Sequence, residues 1–288
     1  MFVAGLVAQT GIVLTGGLVR VTGSGLGCDD WPTCNDDRLV VRPADGFHGF
    51  VEFGNRLLTF VIGFVLIACV IAAWRVRPRR RSLVLLAVAG FAGIPAQAVL
   101  GGITVWTDLH PATVAAHFLL SMVLIAIAVA LIARHDDGAD GPPVLRVRRE
   151  LRLAGHALVT IAAIVLVLGT VVTGSGPHSG DADEPARFGF DVRAVSWLHA
   201  DVVLLFVGVL VAILLGLRLT DAPADLMRRG LVVAAVTAGQ GAIGYVQYVT
   251  GVPEALVAAH LLGACLLWIS VLQLWFAMRS RTATSARA

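Results

Sequence analysis

Eight apolar stretches, each about 20 residues long and so able to span a bilayer, occupy roughly 3–20, 47–74, 82–103, 112–133, 153–173, 194–217, 230–250 and 255–278. Hydrocarbon offers no hydrogen-bond partners, so an apolar segment of that length is stable across a membrane only as a helix that pairs its own backbone groups. The composition agrees. Hydrophobic residues make up 57% and charged residues 14% of the 288-residue chain, with a mean hydropathy of +0.84, which excludes a soluble domain. The first stretch begins almost at Met1, without a charged leader or a small-residue cleavage site. It is therefore expected to be a retained span rather than a cleaved signal peptide.

Arginine placement orients the spans. The connections 75–81, 134–152 and 218–229 and the tail 279–287 carry sixteen arginines. The opposite loops carry Arg20, Arg38, Arg42, Arg187 and Arg193, together with Asp29, Asp30, Asp36, Asp37, Asp45, Asp181, Asp183, Glu184 and Asp191. The positive-inside rule then puts both termini in the cytoplasm of a multi-pass protein in a bacterial-type cell membrane. Runs such as Arg79-Arg80-Arg81 are explained by topology, and no nucleic-acid partner is expected; the partner surface is the lipid bilayer. The chain has no lysine.

The spans repeat. Val114-Ala115-Ala116-His117 returns 143 residues later as Val257-Ala258-Ala259-His260, and Gln97 and Thr107 match Gln240 and Thr250 at the same offset. Thr22-Gly23-Ser24-Gly25 returns as Thr173-Gly174-Ser175-Gly176. Each half has four spans and starts on the arginine-rich side, so the repeats are parallel, related by an axis along the membrane normal. The expected fold is an all-α integral membrane protein of eight transmembrane helices in two parallel-repeat four-helix bundles. Residues 1–133 form the first bundle, 134–152 a cytoplasmic linker rich in Gly, Pro and Asp, and 153–288 the second bundle.

Ionisable groups inside a membrane mark function by default. His117 and His260 fall on the fourth and eighth spans, and His48 and His199 on the second and sixth. Two histidines on facing helices of a bundle can clamp a haem iron from both sides. The partner of His199 in the first half is ambiguous: His48 matches it at an offset of 151, Asn55 at 144. Between these two lies Glu52, one turn from His48 and one turn from Arg56. It reads either as an ion-pair partner of Arg56 or as a carboxylate that moves protons beside a bound substrate. The second half has no equivalent, with Val203 or Ser196 at the matching positions. Asp201, two residues after His199, is a weaker candidate for a group beside the cofactor. His110, His135, His156 and His178 sit at span ends or in loops and read as interfacial. Cys28 and Cys34, with five residues between them in the first outward loop, permit a disulfide in an oxidising compartment. A metal site there lacks neighbouring Cys or His to complete four ligands. Cys69 and Cys265 lie in spans and read as packing residues.

Arg20 through Cys28, followed by Asp30-Trp31-Pro32 and Cys34, resembles the first outward loop of the haem A synthase family (Cox15/CtaA). Glu52 through Asn55-Arg56 is similar to that family's Glu-x-x-His-Arg motif. Gln97, Leu100-Gly101-Gly102, Thr104-Val105 and His110-Pro111 to His117 are similar to its third and fourth spans. The resemblance implies oxidation of the C8 methyl of haem O to the formyl of haem A by successive hydroxylations and loss of water. It implies haem b on His199 and His260, and the substrate haem beside Glu52 and His117, with His48, Asn55 and Arg56 around it. It associates Cys28 and Cys34 with a disulfide, and it implies a haem O synthase and oxidase assembly factors as partners. Two positions depart from the pattern: Asp29 stands in place of a proline, and Asn55 in place of the second-span histidine. The substrate iron is then left either to His48, after a local shift, or to His117 alone.

Two other functions use similar residues. A diheme b-type carrier would move electrons and modify neither haem, but it has no need of Glu52 in one half. A haem or small-molecule transporter is neither favoured nor excluded by a parallel repeat.

Overall fold

A computed structural model describes residues 1–34, 38–178, 180 and 186–281. Asp36, Asp37, Asp181, Asp183, Glu184 and Arg287 lie outside the described residues. The helices are α1 Phe2–Val21, α2 Gly46–Arg75, α3 Arg81–Trp106, α4 Pro111–Asp136, α5 Arg149–Ser175, α6 Val192–Leu219, α7 Ala224–Val249 and α8 Glu254–Ala277. All eight are long and apolar enough to cross a membrane.

Most of the helices outrun their apolar stretches, because a helix ends where its caps are rather than where apolarity ends. Thus α7 starts at Ala224 behind Pro223, well before the apolar run, and carries Asp225, Arg228 and Arg229 in its first turns. The side chain of Asp191 accepts the Ala194 N–H at 2.7 Å to start α6. His110 starts α4 in the same way, accepting the Ala112 N–H at 3.3 Å ahead of Pro111. His110 is thus a capping residue.

In the first half, α1 and α3 each pack against both α2 and α4, closing a ring of four. In the second half, α5 and α7 each pack against both α6 and α8. The rings meet along α4 against α8, flanked by α1 on α8 and by α5 on α4. In lipid such contacts rest on close packing rather than on the hydrophobic effect, so small residues mark them. A methyl group built on Gly17 of α1 would fall 2.1 Å from Leu261 Cδ2 of α8. On the same seam, Trp268 Nε1 of α8 donates to the Met122 carbonyl of α4 at 2.9 Å. One buried cluster joins Leu158, Phe206, Ile213, Val233 and Val271 to Ile125 and Val129 of α4; a smaller one joins Ile62, Leu66, Leu83 and Ala87. Cys69 and Cys265 are buried within these clusters, as expected of packing residues.

The two faces of the bundle are tied differently. On the arginine-rich face, β1 Pro143–Leu145 pairs antiparallel with β2 Arg279–Arg281. Arg80 donates to the carbonyls of Arg134 and His135, in the last turn of α4, and to that of Ala139 just beyond it. It also pairs with Asp140 at 3.4 Å. Arg146 holds Asp225 through two contacts, at 2.7 and 3.0 Å. On the opposite face, Arg20 Nε donates to the His178 carbonyl at 2.7 Å, and the Gly25 N–H donates to the Gly180 carbonyl at 2.9 Å. His178 Nε2 in turn donates to the Val252 carbonyl at 2.8 Å.

Candidate functional site

Two matching turns set the height of the two repeated histidines. After α3, Asp108 and Leu109 adopt φ of 49° and 54°; after α7, Gly251 and Val252 adopt 78° and 61°. The Leu109 N–H reaches back to the Thr104 carbonyl at 2.9 Å, and the Val252 N–H to Gln247 at 2.8 Å. Left-handed backbone costs a non-glycine residue roughly 1–2 kcal/mol, so both turns hold this shape against intrinsic preference. Each is followed by a helix on which the histidine stands six residues from the start, about 9 Å along the axis. His117 and His260 therefore sit near the loop face of their rings, on α4 and α8.

Each ring-bearing residue lies against a glycine of the preceding helix. A Cβ on Gly101 would stand 3.3 Å from His117 Cε1, one on Gly244 3.2 Å from His260 Cε1, and one on Gly169 3.5 Å from His199 Cε1. The fourth member is Gly16, whose Cβ would stand 3.9 Å from Asn55 Nδ2. So α1, α3, α5 and α7 each offer a bare strip of backbone, and three of the four strips carry an imidazole while the fourth carries an amide. Gln97 and Gln240 fasten the histidine helices from the same neighbours: Gln97 Nε2 donates to the His117 carbonyl at 3.3 Å, and Gln240 Nε2 to the His260 carbonyl at 2.9 Å. Gln97 also donates to Ser121 Oγ at 2.6 Å.

The rings are half-buried; Nδ1 of His117 and His260 is sealed without a hydrogen-bond partner, while the His199 ring has the Val165 main chain as a hydrogen-bonding neighbour. An unsatisfied buried polar atom costs about 1–3 kcal/mol, and it calls for an explanation such as a ligand or ion. His199 and His260, on helices facing each other across their ring, lie within electrostatic reach of one another. Half-buried imidazoles on glycine strips, with helices locked behind them, suit a flat aromatic macrocycle bound through its metal. Among the described residues no cluster of three or more His, Cys, Asp or Glu side chains forms a metal site, so the donor set is one of isolated or paired imidazoles.

The first half adds a capped loop. Cys28 and Cys34 form a buried disulfide with Cα atoms 4.6 Å apart. Glu52, 6% exposed, accepts the Cys28 N–H through Oε2 at 2.8 Å and meets Arg56 through Oε1 at 3.0 and 2.5 Å. The main chain of Gly27 also hydrogen-bonds to this carboxylate. Arg56 Nη1 donates onward to the carbonyls of Asp30 and Thr33 at 3.0 and 2.8 Å. Glu52 is thus both the ion-pair partner of Arg56 and a buried anchor of the loop. Trp31 wedges the loop against α3, where a Cβ on Gly102 would fall 2.5 Å from its indole. Asp30 accepts the Trp31 N–H at 2.7 Å and the Trp106 indole N–H at 3.2 Å. These donors, the Trp31 N–H foremost, hold its carboxyl below the usual range.

His48 stands apart from this group. It is exposed at the start of α2, and its Nδ1 meets Ser24 Oγ at 2.8 Å. Seven residues, about 10 Å of helix, separate it from Asn55. Asp201 is exposed on α6. His135 packs edge-on against Phe2, and His156 bonds the Arg152 carbonyl beside Trp275, both near the arginine-rich face. The packing of the glycine strips, the Gln97 and Gln240 staples and the Trp31 wedge was not readable from the sequence; the repeat of Gln97 and Gly101 as Gln240 and Gly244, and the resemblance at Trp31 and Gly102, were the available signals.

The family model for COX15-CtaA, described as cytochrome oxidase assembly protein, matches residues 1–179. Proteins named Heme A synthase are similar over the same order of length. The one from Halalkalibacterium halodurans is 30% identical over 162 residues, covering 55% of this chain and 53% of the relative. That from Alkalihalophilus pseudofirmus is 29% identical over 163 residues, covering 56% and 54%. That from Bacillus mycoides is 27% identical over 165 residues, covering 56% and 52%. The chain thus spans about half the length of the curated relatives it matches.

Proposed function

This chain belongs to the COX15-CtaA family of cytochrome oxidase assembly proteins, and on that footing we propose that it is a haem A synthase. It oxidises the C8 methyl of haem O to the formyl of haem A by successive hydroxylations and loss of water. One observation carries the reading: three imidazoles lie on glycine strips in a bundle whose first half alone, among the described residues, adds a buried carboxylate under a disulfide-closed loop. The names of the relatives support it.

In this reading His199 and His260 hold a resident haem b, which supplies one-electron transfer when bound. The substrate haem O occupies the first half, with His117 as iron ligand and Asn55, Glu52 and Arg56 around it. Glu52 is the group that takes or holds a proton near the reacting methyl. Arg56 pairs with that carboxylate and, through the carbonyls of Asp30 and Thr33, keeps the loop closed over it. The disulfide, by shortening the loop, helps exclude water. The arginine-rich face and both termini are cytoplasmic, and a haem O synthase and oxidase assembly factors are the partners such an enzyme requires. A diheme carrier would leave the one-sided Glu52 without a use.

The test is co-expression of the chain with a source of haem O, followed by chromatography of the extracted haems. Haem A that appears only with the intact chain supports the synthase. Bound haem accompanied by unchanged haem O rejects it.

A further inference from the structure

The four glycine strips allow the ligand sets of the two halves to be compared position by position. In the second ring, α5 presents Gly169 to His199 and α7 presents Gly244 to His260. In the first ring, α3 presents Gly101 to His117 and α1 presents Gly16 to Asn55. Asn55 therefore occupies the station that His199 occupies in the other ring, and its Oδ1 is sealed without a hydrogen-bond partner. A carboxamide is a poor ligand for haem iron but a good hydrogen-bond donor and acceptor. The other histidine on α2, His48, is two turns away, exposed and engaged with Ser24.

We propose that iron bound in the first half has a single protein ligand, His117, and keeps an open coordination position on the side where Asn55 presents its amide. This rests on the reading that the first half takes a haem. It makes the two halves different kinds of site: in the second ring both axial positions are filled by the protein, whereas in the first a small molecule can reach the metal. The Asn55 amide is then a positioning group for whatever small polar ligand occupies the open position, not a ligand itself.

The experiment uses the full-length protein in detergent, loaded with ferric protoporphyrin, reduced with dithionite and exposed to carbon monoxide. The expected result is two spectral populations of comparable size, one that binds carbon monoxide and one low-spin and refractory to it. His117→Ala should remove the population that binds carbon monoxide and leave the refractory one. Asn55→His should convert the reactive population into a second low-spin one, a loss of carbon monoxide binding without loss of haem. His48→Ala should leave the reactive population as it is. Two low-spin, refractory haems in the unaltered protein would overturn the proposal, as would loss of the reactive population in His48→Ala. Haem content limited to the second-half population, in the unaltered protein and in Asn55→His alike, would reject the broader reading that the first half binds haem at all.

Discussion

In the second ring, two imidazoles face each other from α6 and α8, and the loop above them contributes no cysteine and, among the described residues, no buried acid. In the first ring, the same stations carry Asn55 and His117, and the loop above them is closed by a disulfide and fastened to Glu52 and Arg56. The helices, turns and glutamine staples correspond; what differs is the chemistry placed between them. A resident cofactor needs a saturated, unchanging ligand set. A site that binds and releases a substrate of the same shape needs a weaker hold and a group that can take a proton. On the proposed function, the difference between the rings is the difference between those two requirements.

The strongest challenge to this contrast is at the carboxylate. Glu52→Gln keeps the size and one acceptor but removes the charge, and general-base contributions run to about 10²–10⁴-fold. Haem A formation should fall by that order while the low-spin haem spectrum persists; unchanged yield would remove Glu52 from the chemistry. Next come the second-ring ligands. Either His199→Ala or His260→Ala should abolish the low-spin signal, and a normal spectrum in either variant would refute that pair.

Smaller effects probe the scaffold. Cys28→Ser opens a short loop, for which the chain-entropy model gives about 2 kcal/mol. A lower thermal midpoint with unchanged second-ring haem would show that the disulfide serves the first half alone. Gly244→Ala should affect haem more than folding. Alanine gains up to about 1 kcal/mol in helix propensity, but its methyl would stand 3.2 Å from the His260 ring. The haem spectrum should shift while the apoprotein melts no lower.

The smallest effect concerns pH. Asp30, whose carboxyl is held low by the Trp31 N–H and its other donors, stabilises the loop above the unfolded carboxyl value near 3.9. That contribution is lost as pH falls through the lower folded value. A Trp31 fluorescence change confined to strongly acidic pH, and absent in Asp30→Asn, is the expected signature.

The spans were legible in the sequence because apolarity over 20 residues has one physical solution in lipid. The helix starts were not, since Pro223 acts through its backbone geometry and Asp191 through a side-chain cap, neither of which hydropathy registers. His117 and His260 were found through the repeat. The α2 position matching His199 stayed open between His48 and Asn55, because the first half is seven residues longer than the second between the Thr-Gly-Ser-Gly motif and Asn55. The extra length, most of it in the connection ahead of α2, brings His48 by coincidence to the offset of His199, and only the packing of Asn55 on Gly16 separates the two. Gly101 and Gly244 showed only as matched positions, and Gly16 and Gly169 stayed hidden, because glycine is common throughout membrane helices; what distinguishes these four is the ring or amide set against each.

The seam of α4 against α8 has a further consequence. The helix that carries His117 and the helix that carries His260 are each other's neighbours, joined by the Trp268 indole on the Met122 carbonyl. The two compartments thus share one wall, whose helix axes stand about 8–10 Å apart. Traffic between them, whether of charge or of strain, has a single partition to cross. A chain severed in the 134–152 connection would still have to rebuild that partition before either compartment had its full enclosure.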